Sequence, residues 1–148
     1  MPVDVFALRV AEMADLPIKF PDGSPMVDGD GLAVTASVFG PGTRIWQVAH
    51  ATMRRKAIKR SREANGKYEA ALDNATEDTV DFLCAIIKRF NNFANPDGID
   101  DAALVAKVLN EPLLGYIRDH LSDDASNWEN FTKASSRSSN SGSGNLPG

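Results

Sequence analysis

Three residues, Gly40-Pro41-Gly42, separate two incompatible hydrophobic periods. Before them Leu32, Val34, Ala36 and Val38 alternate with Ala33, Thr35, Ser37 and Phe39, the two-residue repeat of a strand. After them Ile45, Trp46, Val48, Ala49, Thr52 and Met53 fall on one broad helical face, with Thr43 placed to cap the first turn. A chain that changes period across a Gly-Pro-Gly break is α+β, with its β structure in front. The sequence therefore predicts a mainly α fold of the α+β class: an N-terminal β-hairpin, about four helices and a flexible tail.

The β part is expected over residues 16–42. Leu16–Phe20 is the first candidate strand, and Pro17, which lacks an N–H, makes it an edge strand. PDGSPMVDGDG between the strands is rich in turn formers and predicts a long mobile loop. Asp28-Gly29-Asp30-Gly31 has the look of half a calcium loop, but the further oxygen ligands and closing Glu are missing, so it reads as a turn. Residues 1–15, with Val5, Phe6, Leu8 and Met13, read as an arm, either a short helix or a docking segment.

Residues 43–131 make the expected helical core. The first helix runs from Arg44 to about Asn65, and its second half is basic: Arg54, Arg55, Lys56, Lys59, Arg60 and Arg62. That run is either a solvated face or an electrostatic surface for an acidic partner or nucleic acid. Thr76-Glu77-Asp78-Thr79 resembles a helix start, followed by Val80, Leu83, Ile86, Ile87 and Phe90 at helical spacing. Asp100 caps a short helix bearing Leu104, Val105, Val108 and Leu109. In the closing stretch Asn110 reads as an N-cap and Pro112 as a first-turn proline. Leu114, Ile117, Leu121, Ala125 and Trp128 then form one stripe, either core or a partner surface. Residues 132–148 are Ser, Gly and Asn with almost nothing apolar, which predicts a disordered tail.

No catalytic constellation stands out. His50 and His120 lack neighbours at metal-ligand spacing, and no phosphate loop is present. Cys84, the single cysteine, sits in an apolar run and precludes an internal disulfide. The expectation is a non-enzyme without cofactor or metal. A net charge of −4 and a pI near 5.1 argue against a general nucleic-acid binder. No apolar run approaches a membrane span, and the N-terminus lacks the basic start of a signal peptide, so a cytoplasmic location is expected.

Three stretches together resemble the phage tail assembly chaperones of long-tailed phages. The first is Leu16–Arg44, where Pro17-Ile18-Lys19, an Asp/Gly loop and an alternating strand end in Phe39-Gly40-Pro41-Gly42 before a basic helix. The second is Thr76–Ile99, in which Phe90-Asn91-Asn92-Phe93 stands where the family often has a Trp-containing turn. The third comprises Glu111-Pro112, Gly115-Tyr116-Ile117-Arg118-Asp119 and Asn130-Phe131-Thr132-Lys133. The resemblance implies a helical, self-associating protein that binds the tape measure protein and keeps it soluble while tail tube subunits assemble. It implies action in the host cytoplasm, absence from the mature virion, and in many phages a frameshifted longer product that recruits tail tube protein. On that view Trp46, Met53, Leu114, Ile117, Leu121 and Trp128 are candidate partner-binding residues. The competing readings are a small regulator using the basic helix on nucleic acid, and a structural tail or connector component.

Overall fold

The computed structural model describes residues 1–63 and 68–132. The Asn65-Gly66 helix end and the tail from 133 onward lie outside the described residues. Strands β1 (Met13–Pro17), β2 (Thr35–Phe39) and β3 (Ile87–Asn91) form one antiparallel sheet in the order β1-β2-β3. The helices are α1 (Arg44–Glu63), α2 (Tyr68–Ile86), α3 (Asp101–Leu109) and α4 (Gly115–Ala125). The α+β class, with an N-terminal β-hairpin and four α-helices among the described residues, is as the two periods imply.

The sheet corrects several boundaries. β1 begins at Met13, so Met13–Asp15, read as part of the arm, pair with Phe39, Val38 and Ser37. Pro17 ends that strand, on the sheet edge that its missing N–H requires. Ile18 continues inward, donating to Val34 O at 3.0 Å and accepting from Met26 N at 2.7 Å.

β3 was hidden in the sequence. Ile87 and Phe90 are buried and the two residues between them exposed, a spacing of three that reads as helix. A strand puts such residues on opposite faces unless it bulges. Here Val38 pairs with Ile87 and Ser37 with Arg89, leaving Lys88 as the extra residue. The bulge brings Ile87 and Phe90 to the same face. α2 passes into β3 with no residue between them.

Helix starts also shift. Thr76 lies inside α2 rather than at its start, and Thr79 Oγ1 donates back to Ala75 O. Asp100 caps α3 as expected, accepting from Ala103 N at 2.7 Å. Asn110 is the C-cap of α3, not an N-cap. Glu111 caps a 3₁₀ turn at Pro112–Leu114, and α4 begins only at Gly115.

The core joins the sheet to α2, α3 and α4 through Leu16, Ala36, Val38, Leu83, Ile86, Leu109, Ile117 and Leu121. Phe131, in a final 3₁₀ turn, seals one end, and its carbonyl accepts from Ala11 N at 2.6 Å. The other side of β2 is polar. Asn91 Nδ2 donates to Thr35 Oγ1 and Ser37 Oγ, and Ser37 Oγ donates to Asp15 Oδ1. Thr35 and Ser37 are thus buried with partners, as buried hydroxyls require.

The β1–β2 loop is tied down. Asp28 accepts from the backbone of Asp30 and Leu32, and Asn92 Nδ2 donates to Asp28 Oδ2 at 2.9 Å. Asn92 has φ +58°, a conformation Asn tolerates better than most residues. The Asn92 amide first, and the Leu32 N–H next, hold the Asp28 carboxyl below its ordinary pKa. A depressed carboxylate contributes order that is complete above the unfolded pKa, about 3.9, and lost as pH falls through the folded value. The Asp30 and Leu32 amides should therefore stay protected from exchange at pH 5 and open below about pH 4. Asn92→Gly, which keeps the backbone angle but removes the amide, should open them at pH 7 while the sheet amides stay protected. Unchanged exchange in that variant would mean that the loop does not depend on Asn92.

Candidate functional site

α1 stands apart because its 20 residues include none that is buried. It forms a hairpin with α2, reaches the core only through the partly buried Trp46, Ala49 and Met53, and is held by three fasteners. Trp46 stacks on His50 with ring centroids 4.7 Å apart and meets Phe82 edge-on at 5.4 Å. Its indole N–H donates to Ala125 O, at the C-terminal end of α4, at 3.1 Å. Further along, Lys56 pairs with Asp81 at 3.3 Å, and Arg60 pairs with Asp78, whose carboxylate is nearly buried. At the N-terminal end Thr43 Oγ1 accepts from Trp46 N, the cap expected after the Gly-Pro-Gly break.

These fasteners leave a groove of about 550 Å³ open between α1 and α2. Ile45, Val48, Ala49 and Met53 form one wall, and Phe82 and Ala85 the other. Arg44, Lys56, Asp78 and Asp81 rim it. Its size is that of a cavity that holds a ligand or an anchoring side-chain cluster. Val48 is 53% exposed, and Ile45 is also exposed. Below the groove the same helix edge becomes basic, since Val48 and Arg55 are seven residues apart and share a face. Arg55, Lys59 and Arg62 surround the exposed Ile58 in a second, shallower hollow. α1 therefore offers an apolar half followed by a cationic half.

The structure separates the residues singled out on sequence. Ile117 and Leu121 are 2% and 1% exposed and belong to the core. Leu114 is half-buried against that core. Trp46 is a fastener of α1, and Met53 lines the groove. Trp128 is 53% exposed near the start of α1, far from the Ile117–Leu121 cluster in burial although it continues their sequence stripe. Of the six basic residues, Lys56 and Arg60 are engaged by α2, whereas Arg54, Arg55, Lys59 and Arg62 are exposed without an ion-pair partner among the described residues.

Sequence reading missed Ile45, Val48, Phe82 and Ala85 as a shared groove. The signal was present in the width of the α1 face. Trp46, Ala49 and Met53 suffice to meet one neighbouring helix, so Ile45 and Val48 are surplus to that packing. Cys84 is half-buried, and burial first, then Asp81, pushes its thiol up, away from nucleophilic use. Among the described residues no group of three or more His, Cys, Asp or Glu is placed to hold a metal, and no helix is long and apolar enough to cross a membrane. No family model matches this chain, and neither a curated protein nor a solved structure matches it.

Proposed function

We propose that this protein is a phage tail assembly chaperone that binds the helix-prone tape measure protein and keeps it soluble during tail assembly. The reading rests on the sequence resemblance, and one structural observation supports it. α1 leaves an apolar groove open beside α2 and continues it with cations that have no ion-pair partner among the described residues. A holdase needs that combination: apolar surface that an amphipathic client helix can enter, with charges that fix its direction. The client contacts are then Ile45, Val48, Met53, Phe82 and Ala85, while Ile117 and Leu121 support the fold from within. Recruitment of tail tube protein, through a longer product of the same gene, and release before the virion matures belong to the same proposal.

Co-expression with the very long helical protein encoded nearby tests it. The wild-type chain should bring that protein into the soluble fraction and co-purify with it. Val48→Asp, a change at an exposed site, should weaken the pair about thirtyfold or more, the scale of losing an interface anchor. A client that stays insoluble with wild type, or binds Val48→Asp equally well, rejects the reading. Arg55, Lys59 and Arg62 favour a second reading, a nucleic-acid contact. Duplex DNA or RNA in place of the client should then bind with log K falling by roughly 0.9 per log salt for each phosphate neutralised on duplex DNA. No gel retardation at low salt dismisses it.

A further inference from the structure

α1 carries a charge pattern that the fold does not use. Six cations lie between Arg54 and Arg62. α2 engages two of them, Lys56 through Asp81 and Arg60 through Asp78. Arg54, Arg55, Lys59 and Arg62 are exposed and have no ion-pair partner among the described residues. The whole chain carries a net charge of −4, so this stripe is not a by-product of a basic composition. Ile58, Lys59 and Arg62 stand three, four and seven residues on from Arg55, which is a single helix face. Like charges at this spacing repel one another along a helix. The helix macrodipole offsets that repulsion only in the last turn, where Arg62 lies, and Arg55 and Lys59 are further back.

The centre of the stripe decides which anion fits it. Ile58 is 52% exposed, with Arg55, Lys59 and Arg62 around it and Glu63 as the one acid of the hollow. A phosphate backbone offers nothing apolar to Ile58, and no aromatic side chain lines the hollow to stack a base. The net negative charge of the chain also repels a long polyanion. An acidic helix supplies both parts of the match, carboxylates three and four residues apart and an aliphatic side chain between them. Its rise per residue equals that of α1, so two such stripes stay in step over the roughly 10 Å from Arg55 to Arg62. Carboxylates also suit the two guanidinium groups, which they can meet with paired hydrogen bonds.

We infer that the outer face of α1 binds an acidic amphipathic helix of a protein partner, through Arg55, Lys59 and Arg62 around Ile58. The inference uses the cations of the nucleic-acid reading and assigns them a different class of partner. It does not depend on the chaperone reading, and its test contains no client. The probe is a fluorescein-labelled helical peptide on an Ala/Gln background, with three Glu and one Leu at the spacing of Arg55, Lys59, Arg62 and Ile58. A control peptide has the same composition with its Glu spread around the helix. By fluorescence anisotropy with the full chain, the striped peptide should bind about tenfold tighter than the control, and its binding should weaken as salt is raised. Arg55→Glu, Lys59→Glu and Arg62→Glu together should weaken it by about tenfold or more, with circular dichroism unchanged. A striped peptide with Lys in place of Glu should bind that triple variant and not the wild type. Ile58→Gln, which leaves every charge in place, should weaken the striped peptide about threefold or more and leave the control unchanged. No saturable binding, equal binding of the two peptides, an undisturbed complex in either variant, or no binding of the charge-swapped pair would each overturn the inference. So would tighter binding of a short DNA duplex in the same assay, which would return these cations to phosphate.

Discussion

Leu121→Asp should abolish the folded state. Leu121 is 1% exposed in the middle of α4, among the side chains that join that helix to the sheet and α2. Removing the leucine costs about 2–5 kcal/mol through lost burial and the cavity left behind. A carboxylate in its place adds a desolvation cost of several kcal/mol. A domain of this size has roughly 5–15 kcal/mol in total, so the sum exhausts its stability. Circular dichroism should show no cooperative melt. The informative partner is Val48→Asp, where the side chain is solvent-facing and the change should stay within about 0.7 kcal/mol, the range of helix propensities. If Leu121→Asp melts within a few degrees of wild type, α4 is not the core helix described here and its stripe returns as a candidate surface.

Phe131→Ala is expected to cost about 3–5 kcal/mol, the usual loss for a large buried aromatic. Phe131 has no exposed area although it lies in the last turn of the described chain. Its ring occupies the space above Gly40, where a Cβ would stand only 2.5 Å from a ring carbon. The closing segment thereby reaches back to the Gly-Pro-Gly break that starts the helical half, and its carbonyl holds Ala11 at the entry to β1. The loss should lower the melting temperature by roughly ten degrees or more. Trp128→Ala, three residues earlier and half exposed, should move it by only a small fraction of that. Equal effects at both positions would mean that the closing turn acts as a loose cover and not as a seal.

The parts of this fold legible in sequence are those governed by neighbours in the chain. Gly40-Pro41-Gly42 with Thr43, and Asp100 before α3, announce themselves through turn and cap chemistry that needs no tertiary partner. What was hidden depends on distant residues. Met13-Ala14-Asp15 have little intrinsic β preference and become a strand by pairing with β2. Ile87 and Phe90 keep a helix-like spacing because a bulge absorbs Lys88. Asn110 carries cap chemistry that serves the helix before it, since Glu111 and Pro112 insert a 3₁₀ turn before α4. The site divides the same way. The basic run could be read directly, but which of its members are neutralised depended on Asp78 and Asp81 of another helix. The apolar stripe of α4 could be read, yet its burial could be known only from what packs on it.

The unbroken passage from α2 into β3 makes the helical hairpin and the sheet one lever. A hinge needs a few residues that can absorb a change of backbone angle, and none separates Ile86 from Ile87. A tilt of α2 is therefore carried directly to the first residues of β3, beside the bulged ladder. Lys88, the residue that the ladder already leaves unmatched, sits at the fulcrum. A displacement of α2 is expected to register first in the hydrogen exchange of the amides flanking Lys88.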